Sequence, residues 1–152
     1  MVFSNFDNEF MQAAIDLAKI SYENNEVPVG AVVVLENNII GKGRNSMIFE
    51  NDVTAHAEIN AIRDASRNIG NYRLINCNIY VTLEPCHMCA KAIADARIDN
   101  LVFATKEPKT GSVVSIDNIY GKNILNHSVN YQYGLLKDES SKLLKNFFRD
   151  KR

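Results

Sequence analysis

The sequence predicts an α/β protein, a three-layer α/β/α sandwich around a mixed sheet. Stretches rich in β-branched residues alternate along the chain with stretches whose apolar residues recur at helical spacing. One strand, helix and strand follow each other directly, which is typical of a parallel crossover. An earlier pair of strands is separated by a tight turn and is expected to pair antiparallel. Both kinds of pairing should therefore occur in one sheet.

The first half of the chain predicts a helix, a hairpin and a second helix. Apolar residues at helical spacing predict an amphipathic helix over residues 5–24. Two β-branched stretches, 27–35 and 39–43, flank Asn37-Asn38, which favours a tight turn and hence an antiparallel hairpin. Thr54 is a candidate cap for a helix that runs to about Ile69.

The second half predicts the parallel crossover and a closing helix. Residues 78–83 are typical of a buried strand, and Pro85 suits the first position of a helix that runs to about residue 96. Residues 101–104 predict the next strand, which should lie parallel to the first. A last helix is expected over about residues 137–149.

Length and composition favour one domain. A chain of 152 residues, 46% of them hydrophobic, can bury one core, so we expect a single domain over residues 1–152. No stretch approaches the roughly 18 to 20 apolar residues of a membrane span, and the N terminus lacks a basic and apolar leader. We therefore expect a cytoplasmic protein without a membrane partner.

The net charge of −1 hides an uneven distribution. Residues 137–152 contain six basic and three acidic residues, whereas the rest of the chain contains eleven basic and fifteen acidic ones. With Phe147 and Phe148, this basic segment suits contact with phosphates and bases. Composition alone, however, favours an ordinary amphipathic helix with a solvated face.

Two short motifs contain the residue types of a metal site. In the first, His56 and Glu58 lie two residues apart at the start of a predicted helix; in the second, Cys86 and Cys89 lie three apart at the start of another. Helix N termini that follow strands gather at the carboxyl edge of an α/β sheet. One imidazole and two thiolates would leave a catalytic zinc ion its fourth position for water.

The predicted chemistry divides among these four residues. His56, Cys86 and Cys89 would hold one Zn²⁺ per subunit, which lowers the pKa of its water toward neutral. Glu58 is the predicted catalytic residue, because a carboxylate outside the ligand set can take that proton and return protons to a leaving amine. The spacing H-x-E followed by P-C-x-x-C is the known signature of zinc-dependent nucleobase deaminases.

Over nearly its whole length the sequence also resembles one family, the bacterial tRNA-specific adenosine deaminases. The matching stretches are Glu26–Ala31, Asn45, Thr54–Glu58, Asn71–Leu74, Tyr80–Cys86, Lys109–Gly111, Asn126-His127 and Phe147–Arg149. The resemblance implies a cytidine deaminase-like fold and a homodimer. It also implies hydrolytic conversion of adenosine to inosine at the wobble position of a tRNA anticodon loop, here assigned to an arginine tRNA.

The resemblance further implies substrate contacts. The flipped nucleoside would be bound by Asn45, Val29 and Pro28, and the flanking RNA by Glu107, Phe147 and Arg149. Among these, Asn45 would form a hydrogen bond with the nucleoside, whereas Glu107 stands where the family usually has aspartate. Extruding a base costs least in a strand that is already unpaired, as an anticodon loop is.

Three other functions compete with RNA deamination. The same zinc chemistry would serve a deaminase of a free nucleobase or nucleotide, of the guanine, cytosine or deoxycytidylate type. A structural zinc in a nucleic-acid-binding protein is less favoured, because such a site has no use for Glu58. Thiol redox chemistry would need Cys86 and Cys89 to cycle between dithiol and disulfide.

Several neighbouring residues receive no catalytic role from the sequence. Cys77 is expected in the core, since free cysteine packs as a small apolar group. His87 is expected to be exposed, and His127 to be a turn or surface residue. For Glu84 the sequence leaves two roles open, capping of the following helix or orientation of a basic group.

Overall fold

The computed structural model describes residues 3–151 and contains five helices and five strands in that range. In chain order they are α1 (Asn5–Glu23), β1 (Gly30–Leu35), β2 (Asn38–Arg44), α2 (Met47–Glu50), α3 (Ala57–Ile69), β3 (Asn78–Leu83), α4 (His87–Asp95), β4 (Asn100–Thr105), β5 (Asn130–Tyr133) and α5 (Lys137–Asp150), with a 3-10 turn at Ile119–Gly121. Between residues 3 and 151, no helix has the length and apolar character needed to cross a membrane.

The five strands form one mixed sheet in the order β2-β1-β3-β4-β5. Strand β1 pairs antiparallel with β2 and with β3, whereas β3-β4 and β4-β5 are parallel. Strands β2, β3 and β4 therefore run in one direction and end at the same edge of the sheet, where β1 begins. The predicted hairpin and the predicted crossover are both confirmed.

Helices cover both faces of the sheet, which confirms the three-layer prediction. Alternate residues of a strand point to opposite faces. In β1, Ala31 and Val33 join the core beneath α3 and α4, and Val32 and Val34 join the core beneath α1. Helix α5 lies on the α1 side, where Ser140 donates a hydrogen bond to the carbonyl oxygen of Thr82 at 2.6 Å.

Close packing against β2 fixes the position of α3. The helix presents three fully buried alanines to the strand, Ala57, Ala61 and Ala65. Opposite them, a Cβ added at Gly41 would lie 2.6 Å from the Cβ of Ala65, closer than real contacts allow. The small residues on both sides thus let the helix approach the strand, and this approach sets the start of α3 at the sheet edge.

Both site helices begin later than predicted. Helix α3 begins at Ala57 with His56 as its cap, whereas Thr54 donates to the carboxylate of Asp52, at 2.8 Å through its backbone nitrogen. Helix α4 begins at His87 with Cys86 as its cap, so Pro85 precedes the helix. The predicted starts at Thr54 and Pro85 are therefore wrong, because both residues belong to the connections that enter the helices.

Candidate active site

The two motifs meet at the sheet edge where β2 and β3 end. The ligand atoms of His56, Cys86 and Cys89 all lie within 4.8 Å of one another. His56 Nδ1 is 3.4 Å from Cys89 Sγ and 3.7 Å from Cys86 Sγ. Tetrahedral zinc with bonds of about 2.3 Å to sulfur and 2.0 to 2.1 Å to nitrogen separates such atoms by about 3.5 Å. The donor set and its spacing therefore fit a zinc ion.

Two of these three side chains occupy helix caps. His56 caps α3 and Cys86 caps α4. Both side chains therefore stand at helix starts on the same sheet edge and converge on a common centre. The positive end of α4 also favours deprotonated sulfur at its first turn.

Proton sharing within the cluster prepares one thiolate. The hydrogen bond from Cys89, together with the His56 ring, lowers the pKa of Cys86 to about 4. The same hydrogen bond to the Cys86 sulfur, followed by burial, raises the pKa of Cys89. Hydrogen bonding to Cys86 likewise raises the pKa of His56. The protein without metal therefore already carries a negative sulfur for a cation.

Glu58 lies beside the cluster without belonging to it. It is 4% exposed and lies in the first turn of α3. Burial raises the pKa of Glu58 to about 7, and the negative charge of Cys86 adds to this shift. A carboxyl group with a pKa near neutral can both accept and donate a proton at working pH, which is the property required of a general acid-base catalyst.

A cavity of about 120 Å³ opens over these residues. Its apolar walls come from Val27, Val29, Met47 and Leu83, and its polar groups include Asn45 and Thr110. Apolar walls with a few fixed polar groups are typical of sites for small planar ligands. The cavity therefore joins a binding space to His56 and Glu58, which also line it.

The predicted pocket residue Pro28 does not line this cavity, so that prediction is wrong. The backbone nitrogen of Val29 donates to the carbonyl oxygen of Val27 at 2.9 Å, which closes a three-residue turn centred on Pro28. Val27 and Val29 line the cavity together, whereas the buried Pro28 points away.

Asn45 is held with its carbonyl oxygen turned toward α3. Its Oδ1 accepts a hydrogen bond of 2.8 Å from the backbone nitrogen of Ala57, and Ser21 Oγ donates to its backbone oxygen at 2.8 Å. These contacts fix the amide plane of a side chain that is 6% exposed. Within residues 3–151 its Nδ2 has no hydrogen-bond partner, so it remains available as a donor to a ligand.

Glu84 turns out to organise the loop over residues 107–115, a role that the sequence did not suggest. Its buried carboxylate accepts hydrogen bonds from the backbone nitrogens of Glu107, Val113, Val114 and Ser115 at 2.8 to 3.1 Å and from the Ser115 hydroxyl. A Cβ at Gly111 would collide with this carboxylate. The loop, which supplies Thr110 to the cavity, is thus tied to the residue two positions before Cys86.

The charge of Glu84 is stabilised by these bonds. Burial alone would raise the pKa of Glu84, but the hydrogen bonds from Ser115, Val114 and Glu107 outweigh it and lower the pKa. A depressed pKa means that the carboxylate contributes stability above the pKa of the unfolded chain and loses it as pH falls through the folded value. At neutral pH the contribution is complete.

We predict that Glu84→Gln loosens the loop without removing metal. The amide nitrogen cannot accept hydrogen bonds, so N–H groups of the loop lose their partner. Trypsin should cleave after Lys106 and Lys109 faster than in the parent protein, while zinc content by mass spectrometry stays at one per chain. Glu36→Gln in the exposed β1-β2 turn is the control. Equal cleavage rates in all three proteins would contradict the assignment.

A larger groove of about 780 Å³ lies between α5 and the end of β4. It is lined by Lys106, Glu107, Lys145, Phe148 and Arg149, among others. The predicted contact residues Glu107 and Arg149 therefore lie in one groove, which shares Leu83 with the cavity over the metal cluster.

Phe147 is not part of this groove. Its ring is 6% exposed and packs edge-on against Tyr22 at 5.7 Å, whereas the adjacent Phe148 is 52% exposed. Consecutive helical residues differ by about 100° in direction, so only one ring can face the groove. The predicted nucleotide contact of Phe147 is thus wrong, and Phe148 occupies that place.

The two remaining histidines do not join the cluster. His87 is exposed, as predicted, and its Nε2 lies 2.8 Å from Asp117. His127 is partly buried and contacts the carbonyl oxygen of Ile98 at 2.9 Å. Cys77 is fully buried in the core, also as predicted.

Comparisons with known proteins agree with this geometry. Residues 4–105 match the family model described as the cytidine and deoxycytidylate deaminase zinc-binding region. The chain is 45% identical over 152 residues to the tRNA-specific adenosine deaminase of Haemophilus influenzae, covering 99% of this chain and 88% of that protein. It is 44% identical over 140 residues to that of Aquifex aeolicus, with 92% of each chain covered.

Solved structures give the same picture. A structure from a study of A-to-I editing by tRNA:A34 deaminases at the wobble position superposes with a TM-score of 0.87 and 42% identity, covering 90% of this chain and 99% of that one. A guanine deaminase from Nitrosomonas europaea superposes with a TM-score of 0.76 at 22% identity, covering 97% of this chain and 86% of that one. The second likeness concerns the fold alone.

Proposed function

The chain belongs to the tRNA-specific adenosine deaminases, within the zinc-dependent cytidine and deoxycytidylate deaminase family, and we propose that it converts adenosine to inosine at the wobble position of tRNA anticodons. The observation that carries this proposal is the cavity that joins Glu58, with its raised pKa, to the donor set of His56, Cys86 and Cys89. The reaction replaces the amino group on C6 of adenine by oxygen from water and releases ammonia.

In the proposed mechanism Glu58 moves the protons. A zinc ion held by His56, Cys86 and Cys89 supplies Lewis acidity, which lowers the pKa of water toward neutral. Glu58 accepts a proton from the water whose oxygen attacks C6, and it returns a proton to the amino group that departs as ammonia. Burial favours the neutral form of Glu58, which allows the side chain to hold the proton between the two transfers.

The other cavity residues would hold the base. The Asn45 amide is fixed through Ala57 and has a free donor for the flipped nucleoside. Val29 and its apolar neighbours contact the ring faces and keep bulk water away from the reacting carbon. The low polarity of these walls also maintains the raised pKa of Glu58.

We further propose that the groove beside α5 receives the nucleotides that flank the target. Lys106, Lys145 and Arg149 line it with positive charge, and the exposed ring of Phe148 offers a stacking surface. A cationic groove with an exposed aromatic ring suits single-stranded RNA. The anticodon loop of an arginine tRNA is our proposed substrate, and the cytoplasm, where such tRNA is used, its proposed location.

The direct test is deamination of defined substrates by the zinc-loaded protein. An arginine tRNA transcript with adenosine at the wobble position is incubated beside free adenosine, guanine and cytidine. Inosine in the tRNA alone is the expected result. Product from a free base alone would instead favour the small-molecule deaminase considered above. The same transcript with guanosine at the wobble position is the control.

Adjacent phenylalanines give a second prediction. Phe148→Ala should weaken binding of an anticodon stem-loop by about 1 to 3 kcal/mol, the usual value of base stacking on an aromatic ring, with little change in stability. Phe147→Ala should instead lower the free energy of unfolding by about 3 to 5 kcal/mol, because it empties a core position. Fluorescence anisotropy and urea unfolding separate the two effects. The reverse pattern would contradict the groove assignment.

We also propose a homodimer with one zinc per subunit. Four large apolar side chains are exposed on α3, on the connection that follows it and on α4, namely Ile69, Tyr72, Ile75 and Met88. Exposed apolar side chains of this size are typical of protein interfaces. Sedimentation should give twice the mass of the 17.1 kDa chain. Tyr72→Glu should shift this value toward the monomer, whereas Phe6→Glu, at an exposed position on α1, should not.

A further inference from the structure

A second groove, of about 460 Å³, lies on the opposite side of α2 from the cavity over the metal cluster. We call it the edge groove, because β2, the edge strand of the sheet, lines it together with α3. Its charged lining residues are Lys42, Arg44, Arg63 and Arg67 against Glu50 and Asp64. Four cations therefore face two carboxylates.

Most of these cations lack an acidic partner. Among residues 3–151, Arg63 pairs with Asp52 at 3.9 Å, and the other three cations make no ion pair. Asp64 accepts the backbone nitrogen of Lys42 at 2.8 Å, and Glu50 accepts the hydroxyl of Ser46 at 2.6 Å. These neutral donors leave both carboxylates charged, so the groove has an excess of two positive charges over its own acidic residues.

Arg44 carries the strongest indication of a missing ligand. Its Nη1 is buried and has no hydrogen-bond partner within the described part of the chain. Burying a charged N–H donor without a hydrogen-bond partner is unfavourable. An anion in the groove could accept this hydrogen bond and remove the penalty. Because Arg44 lines the edge groove, its unpaired donor favours an anionic ligand there.

An exposed aromatic ring lines the same groove. Phe49 of α2 is 79% exposed, although large apolar side chains are normally withdrawn from water. The backbone nitrogens of Ile48 and Phe49 donate to the buried carboxylate of Glu26, at 3.1 and 2.9 Å, which holds α2 in place. The ring of Phe49 therefore lies on a short helix whose position is fixed by hydrogen bonds to Glu26.

Neighbouring residues of one segment, 45–50, line the edge groove and the cavity over the metal cluster. Met47 lines that cavity, and Phe49, two residues later, lines the groove, so α2 forms the ridge between them. Ser46, which lines the groove, directly follows Asn45, which lines the cavity. A strand lying in the groove can thus cross α2 and place its next nucleotide in the cavity.

We propose that the edge groove binds single-stranded RNA on the side of the target adenosine opposite the α5 groove. Lys42 and Arg44 contact phosphates, and Phe49 stacks on a base. Cations that follow the backbone beside an aromatic stacking surface are the pattern of single-strand binding. The RNA would then cross the site between two cationic grooves. This inference rests on the proposed function, because it requires an RNA substrate.

The test measures affinity and its salt dependence with the zinc-loaded protein and an anticodon stem-loop. Lys42→Ala/Arg44→Met removes two charges and keeps the apolar stem at position 44. Lys19→Ala/Lys137→Ala removes the same charge at exposed positions outside both grooves. Phe49→Ala removes the ring. Zinc content and unfolding midpoints verify that each variant folds.

We expect Lys42→Ala/Arg44→Met to raise Kd several-fold and to reduce the slope of log K against log salt by roughly 1.4 to 2. Phe49→Ala should raise Kd about tenfold at an unchanged slope. Parental affinity and slope in both variants, or an equal loss in Lys19→Ala/Lys137→Ala, would overturn the proposal. The proposal would also be overturned if the groove variants lost the dimer and bound RNA as the parent does, because a second copy of the chain would then be the ligand of the groove. If the parent protein itself binds no RNA, the proposed function fails first.

Discussion

Glu58→Gln should lower kcat for RNA deamination by about 10²- to 10⁴-fold, the usual contribution of a positioned acid-base group. Glutamine keeps the shape of the side chain but can neither accept the proton of water nor deliver one to the leaving amine. Because Glu58 is not a ligand, zinc should stay at one per chain, and the Kd for the anticodon stem-loop should remain near the parental value. Single-turnover kinetics and metal analysis measure both.

Stability provides an independent check on the same side chain. Burial raises the pKa of Glu58 in the folded protein, so folding favours its protonated form and the protein loses stability as pH rises through about 7. Glutamine does not titrate. In the metal-free protein, the unfolding midpoint of Glu58→Gln should therefore increase relative to the parent between about pH 4.5 and 7. Glu9→Gln, at an exposed position on α1, should follow the parent; if Glu58→Gln does so too, the carboxyl is not buried as described.

Cys86→Ala should abolish both zinc binding and deamination. It removes one of three protein ligands and the thiolate whose low pKa makes the cluster attractive to a cation. The remaining imidazole and thiol cannot complete a stable tetrahedral set. Zinc content should fall from one per chain to near zero, and activity should fall below detection.

The chain offers a matched control in Cys77. This third thiol is fully buried in the core and lies outside the ligand set, so Cys77→Ala should lower stability by about 1 kcal/mol and keep zinc and activity. A chelator should lower the unfolding midpoint of the parent and of Cys77→Ala but leave Cys86→Ala unchanged. Retention of zinc by Cys86→Ala would refute the ligand assignment.

The elements that the sequence predicted well are those with strong local signals. The ligands were recognisable because their spacing along two helix starts is a local property, and the strand over 78–83 has the predicted bounds. The four-residue helix α2 and the strand β5 were missed. Glu26 stabilises α2 from more than twenty residues away, and the pattern of β5 alternates exposed with half-buried residues at the sheet edge.

Errors within the site concern the direction of side chains. Val27 lines the cavity beside Val29, and Pro28 does not, because a turn closed between Val27 and Val29 is not evident from the sequence. Phe147 and Phe148 exchanged roles because the sequence shows two adjacent rings but not which one faces Tyr22. The role of Glu84 could not be predicted, since its partners lie 23 to 31 residues further along the chain.

The separation of the ligands along the chain gives the metal a mechanical consequence as well. His56 and Cys86 are 30 residues apart in the chain, and they lie at the starts of two helices that follow different strands. The ligands come together only on folding, so an ion bound to both links the two helices in the folded chain and stabilises that state by RT ln(1 + [Zn]/Kd). The catalytic centre thus also acts as a cross-link, and zinc supply would set the lifetime of the folded protein together with its activity.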